Sequence, residues 1–178
     1  WGGEAWEGLS VGEHGARVGH GSGPLVVVRA RSYIGTLIDD LGKKGVSDPY
    51  RMMTSRSEYR LILRQDNADE RLTPTGRKIG LISDERWARF TKKEEQKKIE
   101  RARAEKTVIA PGEEVNAILE RCGTAPLKTG AKLAELLRRP ELNYEVLAPV
   151  DSTRPEFSTA IFENVEIELK YEGYIKRQ

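Results

Sequence analysis

Apolar residues recur at helical spacing along much of the chain, which predicts a mainly α-helical fold. Ser32 can cap a first helix. The apolar positions of that helix are Tyr33, Ile34, Leu37, Ile38 and Leu41. A later group predicts the core of a small helical bundle: Leu133, Leu136, Leu137, Leu142 and Leu147. The valine-rich run at 25–28 predicts a short strand.

Capping and stop residues set the expected bounds of the other helices. Ser83 is expected to cap a long helix from Asp84 to about Lys106. Thr73-Pro74 is expected to open a shorter helix before it, with Gly80 as its end. Three further helices are expected after the long one: from Pro111 to Gly123, over residues 131–138, and for one turn after Asn143.

The long helix is rich in charged residues. Trp87 and Phe90 anchor its first turns, but beyond Phe90 the apolar stripe thins and charges of both signs alternate. Such a helix either spans solvent or offers a surface to a partner, and the pattern favours a solvent-exposed arm. Its lysines add long-range attraction for an anionic partner, which the interleaved glutamates weaken.

The last part of the chain allows two interpretations. Val165, Ile167 and Leu169 alternate as in a strand, whereas Ile161, Val165 and Leu169 also form a helical stripe. Glutamate–lysine pairs at four-residue spacing favour the helix. Residues 149–157, which include two prolines, are expected to form a linker before it.

Composition divides the chain into three expected regions. Residues 1–31 are a glycine-rich irregular segment, residues 32–148 a helical domain, and residues 149–178 a linker with a terminal helix. The last helix has no stop signal and the chain begins without methionine, which favours a piece of a longer protein. His14 and His20 are expected to be exposed rather than to act as ligands.

Charge and composition exclude several functional classes. The formal net charge is +2, with one cysteine and two histidines. One cysteine excludes an internal disulfide framework and fits a reducing, cytoplasmic compartment, and two histidines leave no zinc or histidine-based catalytic cluster. No apolar run approaches a membrane span. Asp39 and Asp40 point about 100° apart on a helix, so a solvated face or a clasp to a nearby arginine is favoured over acid–base chemistry.

One arginine-rich stretch holds the candidate binding chemistry. Ser55 and Glu58 have the spacing of a capping box, which predicts a helix that starts at Arg56. On such a helix three arginines share one stripe: Arg56, Arg60 and Arg64. With Arg51, residues 51–64 carry four arginines against one glutamate, a local net charge of +3.

Two roles for these arginines stay open. Guanidinium forks match phosphate oxygens and stack on bases, so the row is a candidate RNA-binding surface that extends to Arg71 in the next turn. Alternatively, the arginines pair with nearby carboxylates, a common arrangement that the pattern alone favours. These carboxylates are Glu58, Asp66, Asp69 and Glu70. Alternation at Tyr59, Leu61 and Leu63 also allows a strand, but the capping box favours the helix.

Five blocks of sequence, in order and in register, resemble the glucose-inhibited division protein A family (GidA, also MnmG). The longest block, residues 49–73, includes Thr-Ser-Arg at 54–56 and Glu-Tyr-Arg-Leu at 58–61. The other blocks are residues 32–41, 84–90, 136–140 and 165–175.

The resemblance implies a function for the whole protein. Members of this family are flavin-dependent enzymes that add a carboxymethylaminomethyl group to the wobble uridine of certain tRNAs. The full-length enzyme is then expected to use FAD, with NADH and methylene-tetrahydrofolate as substrates, and to form a homodimer. It is also expected to work with a partner GTPase of the MnmE or TrmE type.

This chain departs from the family pattern in the redox part. A strand that feeds G-x-G-x-x-G is absent, and Cys122 does not lie in the context of the family's catalytic cysteines. The chain is therefore expected to be a carboxyl-terminal piece that positions tRNA and docks the GTPase, without a cofactor site or catalysis of its own. Five arginines are then expected to contact tRNA: Arg51, Arg56, Arg60, Arg64 and Arg71.

Two alternatives differ from this in class. One is a stand-alone RNA-binding module with no enzyme attached. The other is a structural helical adaptor, in which the arginines form internal ion pairs. Under none of the three does the sequence assign a catalytic residue, a cofactor contact or a metal ligand.

Overall fold

The computed structural model describes residues 25–43 and 49–177. The chain divides into two compact units, Trp1–Arg64 and Gln65–Gln178. Residues 1–24 of the glycine-rich segment, with both histidines, lie outside the described residues, and the domain boundaries predicted after residues 31 and 148 stay a prediction. The mainly helical fold is confirmed, because the described residues form seven α-helices, two short 3-10 turns and a single two-stranded sheet.

In the first unit, helix α1 (Tyr33–Lys43) begins as predicted: the Ser32 hydroxyl accepts a hydrogen bond from the Gly35 amide at 3.0 Å. The strand predicted at 25–28 is wrong, since no strand is assigned there. The backbone of this run packs on α1 instead. A Cβ added to Gly35 would lie 2.6 Å from the Val28 carbonyl oxygen, so only glycine permits this approach.

The buried face of α1 is polar. Thr36 and Asp40 are buried, whereas Ile38 in the predicted apolar stripe is 51% exposed. Buried polar groups need partners, and those of Asp40 include an arginine and a tyrosine described below. The first unit is therefore organised around charge pairing at this face of α1.

The second unit starts with α2 (Ala68–Lys78), and Pro74 lies inside this helix rather than at its start. The predicted start at Thr73-Pro74 is therefore wrong. Asp69 and Glu70 in the first turn of α2 favour helix before the proline, because carboxylates stabilise a helix N-terminus. Gly80 has a φ of 84°, which is consistent with its predicted role as the stop.

Helix α3 (Asp84–Lys106) has the predicted bounds, and Ser83 caps it by accepting a hydrogen bond from the Arg86 amide at 3.3 Å. The favoured interpretation of α3 as a solvent-exposed arm is wrong. Lys97, Glu100 and Ala104 on α3 are buried. These side chains lie on one face at spacings of three and four residues, so the buried stripe exists but is largely charged.

Strands β1 (Val108–Ile109) and β2 (Ala131–Lys132) follow α3 and pair antiparallel. Between them α4 (Glu113–Arg121) ends near Gly123, whose φ is 73°. Three helices complete the unit: α5 (Leu133–Leu137), α6 (Tyr144–Leu147) and α7 (Thr159–Ile175). The helical interpretation of the last segment is thus confirmed.

All five leucines predicted for the core of this unit are at most 1% exposed. Asn143 caps α6 as predicted, because its side-chain oxygen accepts a hydrogen bond from the Val146 amide at 2.8 Å. Helix α3 packs against both α5 and α7. Apolar packing is therefore centred on α5 to α7, and α3 covers it with a charged face.

Ion pairs tie α3 to its neighbours. The Lys97 ammonium lies 2.6 Å from the Glu168 carboxylate of α7 and 3.1 Å from Glu70 of α2. The Arg103 guanidinium bonds Glu100 at 2.8 Å and Asp151, beyond α6, at 2.7 Å. Both carboxylates are buried, so Arg103 is what makes their burial tolerable.

Arg103→Met is expected to lower the free energy of unfolding of this unit by about 3 kcal/mol. The change keeps the apolar stem but leaves the buried carboxylates of Glu100 and Asp151 without their counter-charge. The matched control is Arg101→Met on the same helix. Arg101 is 36% exposed and pairs at 3.3 to 3.4 Å, so its loss is expected to cost less than about 1 kcal/mol.

Denaturant unfolding followed by far-UV circular dichroism measures both changes in the free energy of unfolding. Equal losses for the two variants would contradict the structural role given to Arg103.

Candidate nucleic-acid interface

The stretch predicted as an arginine helix is a series of turns. A 3-10 turn covers Thr54–Arg56, and further turns, with neither α-helix nor strand, extend from there to Leu63. The predicted capping box is wrong: the Glu58 carboxylate bonds Arg29 at 2.8 Å. A hydroxyl caps the Tyr59 amide at 3.2 Å, but it belongs to Ser57. Both the helix and the alternative strand are therefore wrong.

Two causes explain why the predicted helix does not form. Serine and threonine hydroxyls compete with the helix for backbone amides, as Ser57 does here. A charge-assisted pair of Glu58 with a guanidinium is also stronger than its bond to a backbone amide at a frayed helix end. The turn is consequently held by a residue from another part of the unit.

Arg29 is the centre of this arrangement. One of its terminal nitrogens, Nη1, donates to Asp40 at 2.7 Å and to Asp39 at 3.1 Å on α1. The other, Nη2, donates to Glu58 at 2.8 Å and to the Arg56 carbonyl oxygen at 3.2 Å. The guanidinium therefore joins α1 to the turn, and its bonds to Glu58 and Asp40 raise its pKa.

Tyr50 makes a second connection to α1. Its hydroxyl donates to the other Asp40 oxygen at 2.8 Å, and the Arg56 guanidinium carbon lies 4.5 Å from the centre of its ring. Burial, and then the bond to Asp40, raise the pKa of Tyr50. Asp39 also pairs with Lys43 at 2.7 Å; this lysine and then Arg29 lower the Asp39 pKa.

Adjacent Asp39 and Asp40 thus clasp an arginine, so the predicted clasp is confirmed. The sequence did not identify Arg29 as that arginine. Its only local signal is its position, shared with Arg31, between the valine run at 25–28 and the capped start of α1.

Three of the five predicted arginines belong to one exposed turn region of the first unit: Arg51, Arg56 and Arg60. Among the described residues Arg51 and Arg60 have no ion-pair partner, so the internal pairing considered for them is not formed there. Asp69 and Glu70, two of the candidate acids, pair with Lys93 and Lys97. Exposed guanidiniums on a fixed turn can bind phosphate groups.

Arg64 and Arg71 differ from these three. Arg64 is partly buried and donates to the Leu61 carbonyl oxygen at 2.8 Å. Arg71 lies on α2 in the second unit and donates to the Asn67 side chain at 2.9 Å. Arg56, Arg60 and Arg64 therefore do not form the single helical row that their spacing predicted.

Within the described part of the chain, no group of three or more histidine, cysteine, aspartate or glutamate residues could hold a metal ion. No described helix is long and apolar enough to cross a membrane. The described strands are two residues long and antiparallel, whereas a dinucleotide fold is built from parallel strands joined by helices, so the described residues do not form that fold.

Comparisons with known proteins agree with this architecture. A family model described as the tRNA modifying enzyme MnmG/GidA C-terminal helical domain matches residues 84–178. The tRNA uridine 5-carboxymethylaminomethyl modification enzyme MnmG of Caldicellulosiruptor saccharolyticus is 54% identical over 174 residues. The enzyme of the same name from Lachnoclostridium phytofermentans is 53% identical over the same length.

The aligned region covers 98% of this chain but only 28% of the length of each of these two relatives. The structure of Aquifex aeolicus GidA in its form II crystal superposes with a TM-score of 0.79 at 33% identity, over 93% of this chain and 25% of that one. Because the helical-domain model matches over half of its residues and the fold agrees, this chain belongs to the MnmG/GidA family.

Proposed function

We propose that this chain is the carboxyl-terminal region of an FAD-dependent enzyme that adds a carboxymethylaminomethyl group to the wobble uridine of tRNA. Within that enzyme, this region positions tRNA and docks a partner GTPase. The relatives' names supply the reaction and its tRNA substrate. The observation that carries the binding role is the exposed arginine turn: Arg51, Arg56 and Arg60.

The turn suits an RNA backbone for a physical reason. Each guanidinium presents a planar fork that matches two phosphate oxygens, and phosphate contacts fix the position of an RNA without reading its sequence. Arg56 is already oriented by the Tyr50 ring, which reduces the entropy lost on binding. Arg64 and Arg71 are proposed as additional contacts, each oriented by a hydrogen bond within its own unit.

The redox chemistry is assigned to another part of the enzyme. Because the described residues form no dinucleotide fold, we place the flavin, NADH and methylene-tetrahydrofolate in another part of the enzyme. The homodimer, the cytoplasmic location and the GTPase partner are proposed from the family alone, without an assigned surface. A stand-alone RNA-binding module would share the arginine turn, whereas a structural adaptor would not need it exposed.

The affinity of this chain for a tRNA transcript with an unmodified wobble uridine is expected to fall steeply with salt. The three arginines of the turn alone give a slope of log affinity against log salt of about −2 to −3, and contacts by Arg64 and Arg71 would make it steeper. Fluorescence anisotropy between low and physiological salt measures this slope. A slope near zero would favour the structural adaptor.

Arg60→Ala is expected to flatten that slope by about one contact, a change of roughly 0.7 to 0.9, because one phosphate is no longer neutralised. Arg121→Ala is the matched control: it also removes one exposed arginine, but from the end of α4 in the other unit. Its slope is expected to equal that of the unchanged chain. Identical slopes for both variants would remove Arg60 from the interface.

The chain purified by itself is expected to be colourless, with no flavin absorbance, because the described residues offer no dinucleotide fold. Visible spectra recorded before and after incubation with FAD and desalting measure this. Retained flavin would place a cofactor site within this chain and contradict the proposed division of labour.

A further inference from the structure

We propose that Arg29, Asp40 and Glu58 are positioning residues for RNA binding: they hold the arginine turn in shape, so that two carboxylates raise the affinity for a polyanion. This inference rests on the proposed function, since it concerns how the same surface is kept ready. It does not follow from charge counting, which assigns a repulsive effect to both carboxylates.

Few apolar side chains of this turn are fully buried. Across residues 49–63, Leu63 is the one buried hydrophobic side chain, and Met52, Met53 and Tyr59 are all exposed. The 3-10 turn is short and its neighbours form no regular ladder of hydrogen bonds. Ordering such a segment loses conformational entropy, which some other interaction must offset.

The polar connection supplies that interaction. Arg29 is only 19% exposed and grips the turn at two points, the Glu58 carboxylate and the Arg56 carbonyl oxygen. Its other nitrogen is anchored on Asp40, a buried residue of α1. A bifurcated guanidinium with charged partners is among the stronger and more directional contacts available to a side chain.

A second path of contacts also leads from Asp40 to Arg56. The remaining Asp40 oxygen accepts a hydrogen bond from Tyr50, and the ring of Tyr50 lies beneath the Arg56 guanidinium. Arg56 is thereby fixed at its backbone by Arg29 and at its side chain by Tyr50. Asp40 is the common origin of both paths, which explains why a carboxylate is buried there.

The two explanations for these acids differ in sign. If RNA affinity depends only on net charge, neutralising Glu58 removes a repulsion and tightens binding. If affinity depends on the shape of the turn, the same change releases the turn and weakens binding. Glu58 is 61% exposed, so its replacement by glutamine leaves no buried charge unpaired at that position.

The test compares Glu58→Gln, Glu58→Asp and the control Glu141→Gln, which neutralises an exposed carboxylate of the other unit. The probe is a tRNA transcript, with anisotropy measured across salt. Glu58→Gln is expected to bind about five- to tenfold more weakly and with a flatter slope, the loss of one charge-assisted pair. Glu58→Asp keeps the carboxylate and is expected to retain most of the affinity.

Hydrogen exchange supplies a readout that is independent of RNA. In Glu58→Gln the amides of residues 54–63 are expected to exchange faster, while those of α3 and α7 remain unchanged. Tyr50→Phe removes one hydroxyl and is expected to weaken binding about two- to threefold. If Glu58→Gln loses helical content, its binding result cannot be used and Tyr50→Phe replaces it as the test. Weaker binding by Tyr50→Phe then supports the positioning role, and unchanged binding overturns it.

The outcomes separate this inference from the proposed function. If Glu58→Gln binds as tightly as the unchanged chain or more tightly, while Arg60→Ala still flattens the slope, the positioning role is overturned and the RNA interface stands. If neither variant alters binding or its salt dependence, the RNA interface itself fails. Weaker binding by both, with Glu141→Gln unchanged, supports both.

Discussion

Charge pairing at low exposure is the constraint on which this structure depends. In the second unit, α3 covers the leucine core with Lys97, Glu100 and Arg103. Each of these side chains pairs with an opposite charge on another turn or element. Burying ions is expensive, so such a helix is stable only when every charge is matched. The geometry of the unit is therefore set by the positions of a few carboxylates as much as by apolar volume.

The first unit follows the same principle on a smaller scale. Asp40 on α1 is buried, and Arg29 and Tyr50 satisfy its two oxygens. Exposed guanidiniums are left at the edge of this network, where nearby carboxylates are already engaged by Arg29. The proposed phosphate-binding surface needs cations next to acids that do not compete for them, and the pairing of Asp40 and Glu58 with Arg29 would provide that separation.

Local signals in the sequence predicted much of the fold. Ser83 and Asn143 cap helices where expected, and the leucine spacing identified the core, because caps and apolar periods are properties of neighbouring residues. The prediction of α3 as an exposed arm was wrong because the sequence of a helix is the same whether its lysines and glutamates pair with other helices or face solvent. Only the partners Glu168 and Asp151, distant in sequence, distinguish the two.

The candidate site shows the same limit. The family, the arginine-rich stretch and the clasp at Asp39 and Asp40 were all accessible from sequence. The shape of the stretch was not, because Glu58 had two possible partners and the one it takes, Arg29, lies 29 residues earlier. The backbone amide of a capping box competes for the Glu58 carboxylate, but the bidentate ion pair with an arginine from another segment is the stronger interaction.

Helix α2 has a practical consequence for anyone who wishes to isolate the helical unit. The matched family region begins at Asp84, yet Asp69 and Glu70 of α2 supply counter-charges to Lys93 and Lys97 of α3. A polypeptide cut at Asp84 would lack the acid that pairs with Lys93 and one of the acids that pair with the buried Lys97. A cut before Gln65, where the compact unit starts, would preserve them and yield the sounder piece for study.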